Sequence, residues 1–301
     1  MQTQVTMGPL LFHWPAEDKR DFYFRIADEA PVGTVYLGEV ICSKREPFFS
    51  KYHDQVAERL QKAGKTVVFA SFAEVMTPRE RKLTQALCED QAYPVEANDA
   101  SALYFLRGKQ HRVGQYFNVY NEETLSRLAG NGAVHFSLSA ELPKDVLSVL
   151  SDAAREQDVS LEVQVFGRMG LALSARCYHA RACDRVKDNC RYACEADPDG
   201  MELKTLDGMP FLSINGIQTL SHTGVNLVQE IPEMMDMGIS HFRLSPHTCD
   251  MVEVAKIFDD VIHGRKSPQD AVETFSEKDY GFPFSNGFYH KDRGYEWKQV
   301  A

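Results

Sequence analysis

Residues 133–166, AVHFSLSAELPKDVLSVLSDAAREQDVSLEVQVF, contain one complete strand–helix–strand unit. The runs Ala133–Leu138 and Leu161–Phe166 are rich in apolar and β-branched residues, which is typical of strands in a covered parallel sheet. Between them, residues 143–157 repeat apolar side chains every three or four positions, as one face of a helix does. This stretch therefore predicts a parallel β-α-β unit.

The same alternation recurs along the whole chain. Residues 54–63, for example, have helical spacing and end at Gly64, a common helix stop. Eight such units in about 250 residues match the size of a (β/α)8 TIM-like barrel. An open doubly wound sheet is the alternative, but no glycine-rich dinucleotide loop follows the first run. The predicted strands are Leu10–Trp14, Thr34–Leu37, Thr66–Phe72, Tyr93–Glu96, Val113–Asn118, Ala133–Leu138, Leu161–Phe166 and His241–Leu244.

The composition favours an ordered α/β protein. The chain has 301 residues, of which 44% are hydrophobic and 25% charged, so wholesale disorder is excluded. The net charge of −10 argues against nucleic acid as a partner. We expect one barrel domain over residues 1–301 that ends in an aromatic tail, residues 282–297. No transmembrane segment or secretion signal is visible, so we expect a cytoplasmic protein.

One segment, near residues 171–210, breaks the alternation and is predicted to be an irregular Cys-rich insertion. Within it, Cys177, Cys190 and Cys194 follow the spacing C-x12-C-x3-C. Thiolates that converge from an irregular loop suit an iron–sulfur cluster or a zinc ion, because both bind soft sulfur donors. The alternative is a set of buried free thiols.

A four-ligand site needs one more cysteine. Cys183 lies in the same segment, and Cys249 follows the last predicted strand. Cys42 is the better candidate, because it follows the second predicted strand and Cys177 follows the seventh. In a barrel both would open on the same end, where functional sites are built. Cys88 lies in a predicted helix, and we expect it to be a packing residue.

Positive charge accompanies these cysteines. In a protein of net charge −10, such a patch suits an anionic thiolate centre or an anionic small molecule, although an ordinary solvated loop would also explain it. Three other titratable residues could serve a site or simple packing: Glu39 and Glu96 at strand ends, and His179 in the cysteine segment. The basic residues are Lys44, Arg45, Arg176, Arg181, Arg185, Lys187 and Arg191.

Several segments together resemble the collagenase-like peptidases of family U32, from about Gly8 to Tyr289. These segments are Tyr36–Arg45, Val163–Cys177, Lys187–Cys194, Ile214–Gln218, Phe242–Pro246 and Asn286–Tyr289. Phe166 stands where the family signature has a histidine, which weakens a peptidase function. Gly170 stands where the signature has a cysteine, and Cys42 offers a replacement. The resulting cysteine pattern resembles that of the branch of the family that acts in ubiquinone biosynthesis.

The resemblance implies a family-type barrel that binds a [4Fe–4S] cluster. It further implies a heterodimer with a homologous UbiU-type subunit, which supports O2-independent hydroxylation of the ubiquinone precursor ring in anaerobic ubiquinone biosynthesis, with prephenate as the oxygen donor. A related iron–sulfur RNA hydroxylation factor and a zinc-stabilised, non-catalytic assembly subunit are the alternatives. The implied cluster ligands are Cys42, Cys177, Cys190 and Cys194. By position, the weak catalytic candidates are Glu162, Arg176 and Arg243.

Overall fold

Eight parallel strands close into a barrel in the computed structural model, which describes residues 3–90 and 92–299. The last barrel strand, His241–Leu244, pairs with both the first and the seventh, so the ring has no free edge. Its Phe242 lies opposite Val5 on one side and Val163 on the other. The barrel strands are β1 (Gln4–Met7), β2 (Thr34–Leu37), β3 (Thr66–Ala70), β4 (Val95–Ala97), β5 (His111–Val113), β6 (Ala133–Leu138), β7 (Ser160–Leu173) and β11 (His241–Leu244).

Helices follow most barrel strands and cover their outer faces. Two of them begin at strong capping residues: Thr77 and Glu80 form a reciprocal capping box, and the Asn121 side chain accepts the Thr124 N–H. The helices are α1 (Ala16–Glu29), α2 (Glu46–Phe49), α3 (His53–Lys62), α4 (Pro78–Glu89), α5 (Ala100–Leu106), α6 (Glu122–Ala129), α7 (Lys144–Glu156), α8 (Tyr178–Ala182), α9 (Ile231–Met237), α10 (Met251–Ile262) and α11 (Pro268–Ser276). No helix of the described residues is long and apolar enough to cross a membrane.

A small antiparallel sheet extends from one side of the barrel. The second half of β7 leaves the ring and pairs with β10 (Gln218–Asn226), which continues to β9 (Pro210–Asn215) and β8 (Met201–Lys204). The short β12 (Phe284–Ser285) pairs with β10 and brings the C-terminal segment onto this sheet. The irregular segment predicted near residues 171–210 is therefore shorter, because its ends belong to β7, β8 and β9.

The interior of the barrel is polar, whereas most barrels of this type are filled with Val, Ile and Leu. Side chains from six different strands hydrogen-bond or ion-pair with one another, so they must meet in the middle of the ring. The apolar residues of the same strands point outward to the helices, as their alternation requires. The interior residues are Thr6, Tyr36, Glu96, Ser137, Glu162 and Arg243.

Two strand predictions were wrong. The run Leu10–Trp14 is a buried loop, and the first strand is β1, four residues long and placed earlier. The apolar side chains of Leu10–Trp14 are buried because this loop covers the end of the barrel, so apolar residues alone do not identify a strand here. The run Val113–Asn118 leaves the sheet after Val113, where Gly114 leads into a 3-10 turn that ends at Asn118, a left-handed residue with φ 50°.

Candidate functional site

Four cysteines converge at the end of the barrel where the strands terminate. Cys42 follows β2, Cys177 begins α8, and Cys190 and Cys194 lie in the short turns after α8. Burial raises the pKa of Cys177, and the neighbouring Cys42 and Cys190 thiols raise it further. Burial also raises the pKa of Cys194, to which Cys177 and Cys190 add. Each thiol therefore lies within electrostatic reach of others in the set, which we call the cysteine group.

An apolar cluster lies against three of the four cysteines and limits the access of water to them. Cys177 belongs to this cluster, and Cys42 and Cys190 pack against it. Its members come from the ends of several strands and from α8, so the closed barrel is what brings them together. The other buried members are Leu11, Val40, Ile41, Ala70, Ala180 and Ile217.

Local hydrogen bonds orient two of the thiols. The Glu39 carboxylate accepts the backbone N–H groups of Ile41 at 3.1 Å and of Cys42 at 3.0 Å, which fixes the turn that carries Cys42. The Cys177 Sγ accepts the Ala180 N–H at 3.4 Å and so caps α8. One oxygen of Glu39 is therefore engaged by the backbone of the Cys42 turn.

A strained turn returns the chain from Cys190 to Cys194. Arg191 and Tyr192 both have left-handed backbone conformations, with φ of 50° and 53°. Each such conformation costs about 1–3 kcal/mol for a residue other than glycine. The Tyr192 ring packs on Phe48 with 4.7 Å between ring centroids, which helps to hold the turn in place.

The predicted basic patch separates into a buried part and an exposed part. Arg45 is 3% exposed and lies beside the cysteine group, where its charge opposes the effect of burial on the pKa of Cys194. Lys44 instead donates to the Lys187 carbonyl at 2.6 Å. Arg181 and Arg191 are exposed to solvent. Lys187 also acts on the Cys42 thiol through its charge, and Arg185 donates to the Cys190 carbonyl at 3.1 Å. Arg45 is the buried cation of the patch that acts on Cys42, Cys177 and Cys194.

Four cysteine thiols and one buried guanidinium are the groups that could hold a metal centre here. Thiolates are soft donors that bind both iron–sulfur clusters and zinc, and a fixed cation favours the negative charge of either centre. Among residues 3–90 and 92–299, no three His, Cys, Asp or Glu side chains are arranged as ligands of one metal ion.

The other three cysteines lie outside the cysteine group. Cys88 is 2% exposed within α4, in agreement with its predicted packing role. Cys183 is exposed at the end of α8. The Cys249 sulfur lies 3.6 Å from the Met251 sulfur, and burial raises the pKa of Cys249 to about 12. Neither of the two alternative fourth ligands thus matches the position of Cys42.

The candidates Glu162 and Arg243 form an ion pair inside the barrel, and Arg176 lies apart from them on an exposed segment. The Arg243 Nε donates to Glu162 at 2.7 Å, and a terminal nitrogen of Arg243 pairs with Glu96. Although burial alone would raise the pKa of Glu162, the Arg243 charge holds it well below its usual range. Glu96 is thus an ion-pair partner. The side chains of Glu96, Glu162 and Arg243 are at most 4% exposed.

Sequence reasoning missed two tyrosines near these groups. The Tyr36 hydroxyl donates to Glu162 at 3.2 Å and accepts from Arg112 at 2.8 Å. Tyr116 packs against the apolar cluster beside the cysteine group. Burial raises the pKa of Tyr116, and among the nearby charges Glu96 raises it and Arg243 lowers it. The only sequence signal was position: each tyrosine lies in or just after a predicted strand.

His179 has a structural role. The side chain is fully buried, its Nδ1 contacts the Ile214 carbonyl at 3.3 Å, and its Nε2 lies 3.1 Å from the Asp197 carboxylate. These contacts connect α8 to β9 and to the segment that precedes β8.

One protein family matches the sequence, and several solved structures resemble the chain more weakly. The family model of Peptidase family U32 matches residues 17–299. Among solved structures, the U32 peptidase Mk0906 is 13% identical, with 82% of this chain and 94% of that chain covered and a TM-score of 0.45. Tryptophan synthase from Pyrococcus furiosus is 12% identical, with 92% and 97% covered and a TM-score of 0.45. A dihydrodipicolinate synthetase homologue from Pseudomonas aeruginosa is 9% identical, with 92% and 81% covered and a TM-score of 0.49.

Proposed function

The chain belongs to peptidase family U32, and within this family we propose that it is a UbiV-like iron–sulfur subunit. In this proposal Cys42, Cys177, Cys190 and Cys194 hold a [4Fe–4S] cluster. The subunit acts with a homologous UbiU-type partner as a heterodimer. Together they support O2-independent hydroxylation of the ubiquinone precursor ring in anaerobic ubiquinone biosynthesis, with prephenate as the oxygen donor.

The observation that carries the proposal is the convergence of four cysteines from distant parts of the sequence. Cys42 is 135 positions before Cys177, yet the two thiols lie within electrostatic reach of each other and of Cys190. Cys183, which is nearer in sequence, stays on the surface. Since chance packing of free thiols does not require a buried cation beside them, Arg45 adds support for an anionic group.

The chain's own residues have defined tasks in this proposal. The four thiolates bind the irons, Glu39 holds the Cys42 turn, and the apolar cluster keeps water from the sulfurs. When bound, a [4Fe–4S] cluster supplies one-electron exchange. Four cysteine ligands would occupy every iron, so the proposal assigns the cluster an electron-transfer or structural role.

The two departures from the family signature support this branch of the family. Phe166 is fully buried and packs against Phe275, Phe282 and Phe284, so this position offers no imidazole for peptide hydrolysis. A Cβ atom on Gly170 would meet only Tyr116, at 3.9 Å. Tyr116 also packs against the apolar cluster beside the cysteine group, so position 170 lies near the edge of that cluster.

The test is the iron and acid-labile sulfide content of anaerobically purified protein, together with its visible spectrum. We expect about four iron and four sulfide per chain in the wild type, as a [4Fe–4S] cluster requires. Cys42→Ala and Cys190→Ala should lose most of both. Cys183→Ala is the matched control in the same segment, and Cys88→Ala is the control for a buried cysteine; both should retain the metal.

Two results would contradict the proposal. Zinc without sulfide would indicate the zinc-stabilised assembly subunit, and absence of any metal would leave buried free thiols. The partner assignment has its own test, which is co-purification with a tagged UbiU-type subunit. Failure of a stable complex to form would remove the heterodimer and leave the cluster assignment in place.

A further inference from the structure

Two buried cations beside the cysteine group share one carboxylate. Arg45 is 3% and Lys19 is 4% exposed, and Glu39 is the carboxylate that acts on both. The Arg45–Glu39 contact is long, at 4.0 Å, and the same Glu39 oxygen already accepts two backbone N–H groups. Burying an uncompensated charge is costly, so this region requires further negative charge. The cysteine group is where that charge can reside.

Neutral oxygen acceptors hold the Arg45 guanidinium in one orientation. Its Nη1 donates to the Leu11 carbonyl at 3.1 Å, and its Nη2 donates to the Asn215 side-chain oxygen at 2.6 Å. The Asn215 amide nitrogen in turn donates to the Cys194 carbonyl at 3.1 Å. Asn215 therefore fixes the guanidinium and the Cys194 backbone relative to each other.

The next residue, Gly216, leaves room for the guanidinium. Its backbone has φ of 69°, and a Cβ atom there would lie 2.5 Å from the Arg45 Nη2. The β9–β10 turn is thus shaped around Arg45, which shows that the position of this side chain is built into the fold.

One donor of Arg45 remains available. The Nε–H is buried and has no hydrogen-bond partner of ordinary geometry among the described residues. Burial raises the pKa of the Cys194 thiol and the charge of Arg45 opposes this effect. The Asn215 side chain that accepts from Arg45 also donates to the Cys194 carbonyl, so the guanidinium lies beside this cysteine. Because a sulfur accepts a stronger hydrogen bond when it is negatively charged, this donor is best satisfied by a thiolate.

We propose that Arg45 is a positioning residue that donates a hydrogen bond to the Cys194 thiolate and stabilises the more negative, reduced state of the cluster. This inference rests on the proposed function, since it assumes that the cluster is bound. Adding one electron makes the cluster and its thiolates more negative by one charge, and the fixed guanidinium favours that state. Arg45 therefore raises the reduction potential and slows the loss of iron.

The experiment is an anaerobic potentiometric titration of the holoprotein with dithionite, with iron content measured on the same samples. Arg45→Gln should lower the reduced-to-oxidised ratio at the wild-type midpoint at least tenfold, which is 59 mV for a one-electron couple. It should also lose iron to a chelator at least tenfold faster. Arg181→Gln is the matched control, because it removes an exposed positive charge of the same basic patch. This variant should have the reduction midpoint and the rate of iron loss of the wild type.

Arg45→Lys covers the case in which Arg45→Gln fails to fold or to hold iron. Lysine keeps the charge but cannot bond Leu11, Asn215 and a sulfur at once, so its midpoint should also fall below that of the wild type. If either variant binds iron and has the same reduction midpoint as the wild type, the role of Arg45 is overturned while the cluster assignment stays in place. A wild-type protein without iron would instead overturn the proposed function, and the role of Arg45 with it.

Discussion

Removing Arg243 should destabilise the protein strongly, because this side chain compensates two buried carboxylates. Arg243→Met keeps much of the side-chain volume but leaves Glu96 and Glu162 without their cation. Glu162 has no exposed surface and Glu96 has 1%. Breaking a buried ion pair by removing one partner costs about 3–5 kcal/mol. With a urea m-value of about 3 kcal/mol/M, the unfolding midpoint should fall by about 1–2 M.

The pH dependence of this loss provides a second, independent check. In the wild type the folded-state pKa of Glu162 is below its unfolded value, so its stabilisation is complete above the ordinary carboxyl range and disappears as pH falls through the folded pKa. In Arg243→Met, burial without the cation raises the pKa of Glu162. Protonation then removes the uncompensated charge from the folded state. The difference between the urea midpoints of the wild type and of Arg243→Met should therefore shrink as the pH falls from 8 to 5.

Urea unfolding followed by the fluorescence of buried Trp14 measures both effects. Arg59→Gln is the control, because it removes a guanidinium from an exposed ion pair with Asp28 and should leave the midpoint unchanged. A midpoint of Arg243→Met equal to that of the wild type at pH 7 would refute the reasoning. A gap that stays constant from pH 8 to pH 5 would show that lost packing, and not uncompensated charge, causes the effect.

Three further predictions test other parts of the structure. Gly216→Ala should lower the unfolding free energy by about 1–3 kcal/mol, because alanine disfavours the positive φ; an unchanged urea midpoint would contradict this. Phe166→His should cost about 2–4 kcal/mol, because it places an imidazole among aromatic rings, and gelatin cleavage should stay at background; a gain of cleavage would argue against our assignment. Iodoacetamide at pH 8 should label exposed Cys183 at least tenfold faster than Cys249, because burial raises the pKa of Cys249 to about 12. Mass spectrometry measures both labelling rates, and equal rates would be inconsistent with this burial.

Local patterns were sufficient to predict much of the barrel. The strands Thr34–Leu37, Ala133–Leu138 and His241–Leu244 begin and end in the structure where the sequence predicts them. Each is a short apolar run bounded by polar or turn residues, so one local signal decides it. The barrel was also predictable, because alternating strands and helices of this number leave few other arrangements.

The contacts within the site could not be predicted in the same way. The sequence identified Glu162 and Arg243 separately, but their ion pair depends on β7 and β11 becoming neighbours when the ring closes. The brace between Arg45 and Asn215 joins residues 170 positions apart, and no local pattern encodes it. Leu10–Trp14 was misassigned for a related reason, because apolar residues in a covering loop resemble those of a strand.

The closure of the ring by β11 has a consequence for synthesis of the chain. β1 is complete after Met7, but its second neighbour, His241–Leu244, is translated more than 230 residues later. At about 5–20 residues per second this interval lasts about 12–48 s. During this interval β1 has one unpaired edge, and β7 has another once Ser160–Leu173 has been translated. Such edges resemble those of any open sheet and can recruit strands of other nascent chains. Messages truncated before Phe242 should therefore yield aggregates, and the newborn protein should depend on chaperones until its last barrel strand emerges from the ribosome.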